Sequence, residues 1–212
     1  MDFDYTGASL QTQSGFSSFA AGLTDNTPQS ITVGSYTVGV SGQDGFYNRG
    51  TVTNAGAFTY ADLYDDVVYI NNSGSSAITI SITGVTPNTP YDVTLYSYDQ
   101  GPNGTTSGAT MTTTFSPGAN TTGANGTVAF NVPNSAPTPN PTSNGQYATT
   151  LTLTGTGNML NITATAAVTS GSVLSGNLLR VNGFELASVP EPSSSVALLT
   201  MGGVLLRRRR VA

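Results

Sequence analysis

Five polar and aromatic residues of the chain could together bind a sugar. Tyr47 and Arg49 lie two positions apart in a glycine-rich stretch, and Tyr96, Tyr98 and Asp99 lie close together later in the chain. Aromatic rings stack on the apolar faces of sugars, while arginine and aspartate fix hydroxyl groups through hydrogen bonds. The same residues also fit a plain structural interpretation, in which the tyrosines pack half-buried on a strand and the arginine pairs with an acid. Both interpretations stay open.

A second candidate site is the most acidic stretch of the chain, which contains Asp62, Asp65 and Asp66. Ca²⁺ is the cofactor that such residues would bind, because it prefers carboxylate and carbonyl oxygens. However, the stretch has neither the spacing of an EF-hand loop nor a glycine–aspartate repeat, and a solvated turn leading into a strand is the simpler explanation. No other cofactor is expected.

The side chains that usually carry hydrolytic chemistry are scarce. The chain contains no His and no Cys, which removes the commonest general base and the thiolate nucleophile. A glycosidase needs two carboxyl groups flanking the sugar, one of them with a raised pKa. Asp65, Asp92 and Asp99 are available, but no spacing singles out a pair. We therefore expect a non-catalytic protein.

Charge is divided unevenly along the chain. Residues 1–189 contain ten acids and only two arginines, Arg49 and Arg180, which gives a net charge of −8. The remaining residues contain one acid and four arginines, which gives a net charge of +3. A body this acidic cannot bind nucleic acid by releasing counterions, so nucleic acid is excluded as a partner.

The elements that must position these residues are β-strands. Charged residues make up only 8% of the chain, and a composition dominated by Thr, Ser, Asn and Gly favours strands joined by polar turns over helices. In several segments apolar and polar residues alternate with the period of two that is typical of a strand. The segments are Ala77–Thr83, Tyr91–Tyr98 and Tyr147–Thr154, followed by Ile31–Val40, Ala109–Phe115, Gly126–Val132, Met159–Ala164 and Leu178–Leu186.

About eight to ten strands separated by Gly, Asn and Pro turns predict an all-β fold, a jelly-roll-like antiparallel sandwich that fills residues 1–187. The proline-rich segment 135–144 is interpreted as a long surface loop of this one domain. The sequence around Tyr91 also resembles the corner of fibronectin type III domains, in which a tyrosine ties a turn down. That smaller fold needs about one further strand, whereas about 110 residues follow this point. The larger sandwich is therefore preferred.

The last segment, residues 188–212, has three parts in a fixed order. Pro190, Glu191 and Pro192 come first, the apolar run 196–206 follows, and a cluster of basic residues comes after it. The cluster consists of Arg207, Arg208, Arg209 and Arg210. This arrangement resembles the PEP-CTERM sorting signal of Gram-negative and related environmental bacteria.

This resemblance implies a partner and a membrane step. In the PEP-CTERM family an integral-membrane cysteine protease, exosortase, processes the signal at or near the Pro-Glu-Pro motif, so Pro190, Glu191 and Pro192 would be its recognition residues. As a short hydrophobic helix, the run 196–206 would span about 16 Å of a hydrocarbon core roughly 30 Å thick. It would therefore anchor the chain in the inner membrane only transiently. The arginines after it would keep its end in the cytoplasm by the positive-inside rule.

The amino-terminal residues lack the basic region and apolar core of a secretory signal, although the family expects one. We therefore expect the true start of the protein to lie upstream of Met1. The body would then be exported to the cell surface or the extracellular matrix, with a structural or adhesive role in exopolysaccharide or biofilm. A carbohydrate-binding module is the alternative, with extracellular polysaccharide as the partner.

The body also resembles the galactose-binding-like jelly rolls that are often attached to such signals. The resemblance lies in Leu95–Asp99 in the middle of the chain and in Val181–Leu186 near the end of the body. It implies that the strand containing Val181–Leu186 pairs beside the first strand.

Overall fold

The computed structural model describes residues 1–7, 11–22, 27–49, 52–70, 77–100, 109–132, 138–170 and 179–190. These residues form fifteen strands and one short helix: β1 (Asp2–Tyr5), β2 (Ser18–Ala21), β3 (Gln29–Val33), β4 (Tyr36–Ser41), β5 (Gly45–Asn48), α1 (Ala61–Asp65), β6 (Asp66–Ile70), β7 (Ala77–Thr83), β8 (Pro90–Tyr96), β9 (Ala109–Pro117), β10 (Thr121–Gly123), β11 (Gly126–Val132), β12 (Ala148–Gly155), β13 (Met159–Ser170), β14 (Leu179–Val181) and β15 (Gly183–Ser188).

Most strands belong to two six-stranded sheets. The first sheet has the order β10-β12-β8-β15-β1-β2, and the second sheet has the order β11-β9-β13-β7-β4-β3. Neighbouring strands are antiparallel, apart from the parallel pair β1 and β2. A third sheet, with the order β14-β6-β5, is smaller. Apolar side chains from all three sheets form one buried cluster, so the predicted all-β sandwich is confirmed.

The period-two alternation of the sequence explains which side chains fill this cluster. In β7, Ile78, Ile80 and Ile82 are buried while the polar residues between them are half-exposed. In β8, Val93 and Leu95 face the same core. A strand can bury one face in this way while its other face stays polar, because successive side chains point to opposite sides. The predicted boundaries of β7 agree with the structure.

The segment Ile31–Val40, predicted as one strand interrupted at a glycine, is a hairpin of β3 and β4. Gly34 has φ of 59°, a left-handed conformation that glycine adopts without the steric penalty of a Cβ atom. Val33 and Tyr36 on either side of the turn are directly paired. The glycine therefore reverses the chain instead of interrupting a strand.

The predicted tyrosine corner is confirmed within the larger sandwich. The backbone N–H of Thr86 donates a hydrogen bond to the Tyr91 hydroxyl oxygen at 3.0 Å, and the Tyr91 ring belongs to the main core cluster. The tyrosine thus fixes the turn between β7 and β8 onto the core. This local motif does not require the fibronectin type III fold, since five strands of the two large sheets follow β9.

The segment Leu178–Leu186, predicted as a single strand, is two strands that belong to different sheets. Strand β14 pairs with β6 in the third sheet, whereas β15 pairs with β8 and β1 in the first. Asn182 lies between them: its Oδ1 accepts the N–H of Tyr98 at 2.7 Å, and its Nδ2 donates to the Asp66 carbonyl at 2.8 Å. The implied pairing of this closing strand with the first strand is confirmed.

A second buried cluster covers the outer side of the first sheet near the end of β8. It consists of side chains from α1, from residues before α1, and from the end of β8 and the chain after it, namely Val52, Phe58, Ala61, Leu63, Tyr64, Tyr96 and Tyr98. Helix α1 begins where the Ala61 N–H donates to Asn54 Oδ1 at 3.0 Å, and nothing in the sequence predicted it. In the described part of the chain, no helix is long and apolar enough to cross a membrane. The helix predicted for 196–206 lies outside the described residues.

Candidate functional site

Two arginines converge on one buried aspartate. Arg49, which follows β5, donates from Nε and Nη2 to the two carboxylate oxygens of Asp99 at 2.7 and 2.9 Å. Arg180 in β14 donates from Nε to Asp99 Oδ2 at 2.8 Å. Burial would raise the pKa of Asp99, but the hydrogen bonds and charges of the two guanidinium groups hold it below its ordinary value. Asp99 is therefore ionised and structural.

The surface side of this network is formed by Tyr47 and Arg49. Tyr47 is 39% exposed, and the Arg49 guanidinium lies 4.7 Å from the centre of its ring. This distance suits a cation–π contact. The Arg49 side chain itself is 18% exposed. These two of the five predicted glycan-binding residues thus lie side by side at the surface.

The other three predicted glycan-binding residues are buried, which corrects the site predicted from the sequence. Tyr98 is 0% exposed, its ring stacks on Tyr147 at 4.9 Å, and its hydroxyl donates to the carbonyls of Thr138 and Pro139 at 3.0 Å. Tyr96 is also buried, and its hydroxyl donates to Glu185 Oε1 at 3.1 Å. Neither ring offers a free face on which a sugar could stack, and the Asp99 carboxylate is occupied by arginine.

Sequence reasoning missed Arg180 and Asn182 as the residues that organise this region. Arg180 also donates from Nη1 to the carbonyls of Ile70 and Leu179 at 3.1 and 2.9 Å, so it links β14 to β6. One signal could have pointed to it, since Arg49 and Arg180 are the only two basic side chains before the tail. In an acidic body, a lone arginine inside an apolar strand requires a buried carboxylate partner.

Two of the acids predicted as possible calcium ligands are buried, so the simpler explanation of a solvated turn does not hold for them. Asp65 and Asp66 are buried, and Asp65 Oδ1 accepts the backbone N–H of Val52 at 2.8 Å. Burial raises the pKa of Asp66 to about 7, and the charges of Asp4 and Asp65 add to the effect. Burial likewise raises the pKa of the half-buried Asp62. In the described ranges, no three His, Cys, Asp or Glu side chains are grouped so that they could hold a metal. Calcium binding stays a prediction.

Two further buried acids come from β1, which the sequence did not single out. Asp2 and Asp4 are both buried. Asp2 Oδ2 accepts the backbone N–H of Gln13 at 2.7 Å, and Asp4 Oδ2 accepts the hydroxyl of Thr12 at 2.8 Å. Burial raises the pKa of Asp2 to about 8, and the hydrogen bond from Gln13 opposes that shift. The two carboxyl groups hold the loop 11–13 against the first sheet.

The sorting-signal residues are only partly within the described chain. Pro190 is exposed and is the last described residue. Just before it, the Val189 N–H donates to the Pro90 carbonyl at 3.0 Å, which closes the pairing of β15 with β8. Glu191, Pro192, Arg207, Arg208, Arg209 and Arg210 lie outside the described residues.

Comparison of the chain with protein-family models, with curated proteins and with solved structures finds no match in any of the three. The fold alone therefore defines the class, an all-β protein built as an antiparallel sandwich. The buried ion-pair network Arg49–Asp99–Arg180 links the chain after β5, the chain after β8 and strand β14.

Proposed function

We propose that this protein is a non-catalytic, exported β-sandwich with a structural or adhesive role at the cell surface or in an exopolysaccharide matrix. A carboxy-terminal sorting signal read by an exosortase-type protease directs it there. The proposal includes an export signal upstream of Met1 and transient anchoring in the inner membrane through residues 196–206.

The observation that carries this proposal is the position at which the described pairing of β15 ends. The backbone pairing of β15 continues to Val189, and the next residue, Pro190, is exposed. The Pro-Glu-Pro motif thus begins at the first residue after the pairing ends. A protease cleft binds an extended backbone, and proline fixes such a backbone without donating a hydrogen bond to a neighbouring strand. This placement supports a recognition sequence that a protease can reach without unfolding the sandwich.

The proposal is tested on the carboxy terminus of the mature protein. The full chain, with an export signal added, is expressed in a host with an exosortase and in the same host without it, and surface material is analysed by mass spectrometry. We expect cleavage near Pro190–Pro192 only when the protease is present. Replacing Glu191 with Ala should block cleavage, whereas the neighbouring change Ser193→Ala should not. Surface protein that retains Arg207–Arg210 in the exosortase host would contradict the proposal.

A second candidate function, carbohydrate binding, is favoured by the exposed ring of Tyr47, which lies beside the partly buried Arg49. An exposed tyrosine ring can stack on the apolar face of a sugar. Tyr47→Ala is the more informative variant. Arg49 contacts Asp99 and Tyr98 belongs to the second buried cluster, so their loss would disturb the fold. On a glycan array, binding that is lost in Tyr47→Ala and kept in Tyr36→Ala would support this function. An intact protein that binds no glycan would rule it out.

A further inference from the structure

The edge of β15 that faces β1 is only partly covered. Met1 and Phe184 form a directly opposed pair, in which each backbone N–H donates to the other carbonyl, at 2.6 Å from Met1 and 2.9 Å from Phe184. Hydrogen bonds toward one neighbour recur at every second residue of an antiparallel strand. The N–H and C=O groups of Leu186 and Ser188 therefore point toward the same edge, where no described strand pairs with them.

A groove of about 460 Å³ runs along this uncovered edge. One of its walls is apolar and comes from the second sheet, with Val33, Tyr36 and Val38 in it. The opposite wall is the edge of β15 with the half-buried Leu186. Met1 and residues 15–17, which lead into β2, also line the groove. The groove therefore has backbone donors and acceptors on one side and apolar side chains on the opposite side, and Asp92, Thr94 and Glu185 also line it.

We propose that this groove is a strand-acceptor site, which accepts one extended segment of polypeptide joined to the amino end of Met1 and antiparallel to β15. The register follows from the pairing of Met1 with Phe184. The second residue before Met1 lies opposite Leu186, and the fourth lies opposite Ser188. Because Met1 and Leu186 both pack against the core, these two added residues point inward and should be apolar, while the first and third point outward and should be polar.

The environment of the Met1 amino group supports a joined peptide as the occupant. Burial lowers the pKa of this amine to about 6, because an ammonium group loses its hydration there. A peptide N–H at the same place would donate the same hydrogen bond to the Phe184 carbonyl without a charge to desolvate. The site is thus suited to a continuing chain in line with β1, and the added strand would complete the first sheet by β-augmentation.

The test compares two full-length proteins that differ only in the order of four added residues. The first carries Val-Thr-Val-Thr before Met1, which directs both valines inward. The second carries Thr-Val-Thr-Val, which has the same composition and directs them outward. We expect the first extension to slow hydrogen exchange at the Leu186 and Ser188 amides at least tenfold relative to the second. It should also raise Tm by about 2–4 °C relative to the second extension, which is the shift that a small gain in stability produces in a chain of this size.

The substitution Leu186→Thr, introduced into both extended proteins, serves as the control. Leu186→Thr should reduce the difference in Tm between the two extensions, because it removes the inward partner of the second added residue. Equal exchange and equal Tm for both extensions would overturn the proposal, as would a gain of the same size in the Leu186→Thr background. Failure of the first extension alone to fold would also overturn it. None of these results depends on export or on processing of the tail.

Discussion

Asp99 and Arg180 form an ion pair at 2.8 Å in which each side chain is only 3% exposed. The pair connects the chain after β8 to β14, and Arg49 extends it toward the surface. Two guanidinium groups and one carboxylate leave this centre with a net positive charge inside an acidic body. Removing the carboxylate charge would therefore take away the anion that both guanidinium groups contact.

Replacing Asp99 with Asn should lower the free energy of unfolding by about 3–5 kcal/mol, the range for breaking a buried ion pair by removing one partner. Urea unfolding followed by circular dichroism measures the change. The matched control is Asp92→Asn on β8, since Asp92 is half-buried and accepts one hydrogen bond from Thr152 at 2.6 Å. The control should stay within about 1 kcal/mol of the unmodified protein. Equal losses would show that the arginines are not held by Asp99.

Tyr91→Phe should cost about 1 kcal/mol, because it removes one neutral hydrogen-bond acceptor and keeps the buried ring. The Thr86 N–H that loses its partner lies at an exposed turn, so water can replace part of the contact. Tyr36→Phe is the control, since its hydroxyl makes no hydrogen bond in the described part of the chain. Chemical denaturation of both variants decides whether the corner stabilises the fold.

Asn182→Leu should destabilise the protein by about 2–5 kcal/mol, because it leaves a buried N–H and a buried C=O without their partner. The affected groups belong to Tyr98 and Asp66. Asn88→Leu is not a suitable control, because its φ of 58° adds backbone strain; Asn131→Leu at the exposed face of β11 is better. A loss no greater in Asn182→Leu than in Asn131→Leu would show that this side chain is not needed where β14 passes into β15.

Stability should decrease as pH rises from about 4 toward 8. Asp2 has its pKa raised from 3.8 to about 8 in the folded state, and Asp66 has its pKa raised to about 7. Between the unfolded and folded pKa values the folded state binds more protons, so each such group removes up to about 1.4 kcal/mol per pH unit. The amine of Met1, with a pKa lowered to about 6, acts in the opposite direction between about 6 and 8.

Thermal unfolding at pH 4.5, 5.5 and 6.5, chosen as rough steps through this window, measures the trend. Asp2→Asn keeps the shape of the side chain without a titrating group, so its stability should fall less with pH than that of the unmodified protein. A slope that is the same in the two proteins would contradict protonation of Asp2 in the folded state.

The sequence was sufficient to predict the strands whose two faces differ in polarity. The boundaries of β7 and β11 follow from alternation alone, because one face of each is buried and the other is polar. Helix α1 could not be predicted in this way, since five residues cover barely more than one helical turn and show no period of 3.6. The division of Leu178–Leu186 between two sheets depends on what Asn182 contacts in space.

Alternation of apolar and polar residues also predicted the candidate site only in part. Alternation correctly assigned Tyr91, Val93 and Leu95 to one face of β8, and it therefore placed Tyr96 on the opposite, outward face. It could not reveal that α1 and its flanking residues form a second layer over that face, which buries Tyr96 and Tyr98. The pairing of a loop arginine with an acid was foreseen as the plain interpretation, whereas the second arginine on the same carboxylate was not.

The Val189 N–H donates a hydrogen bond to the Pro90 carbonyl, one residue before the predicted sorting motif Pro190–Pro192. All described members of the three buried clusters lie at or before Leu186, so a cut after residue 189 removes no side chain that they contain. If the proposed processing takes place there, the released body should melt at the temperature of the full chain, and its lifetime would depend on how well its own fold resists unfolding.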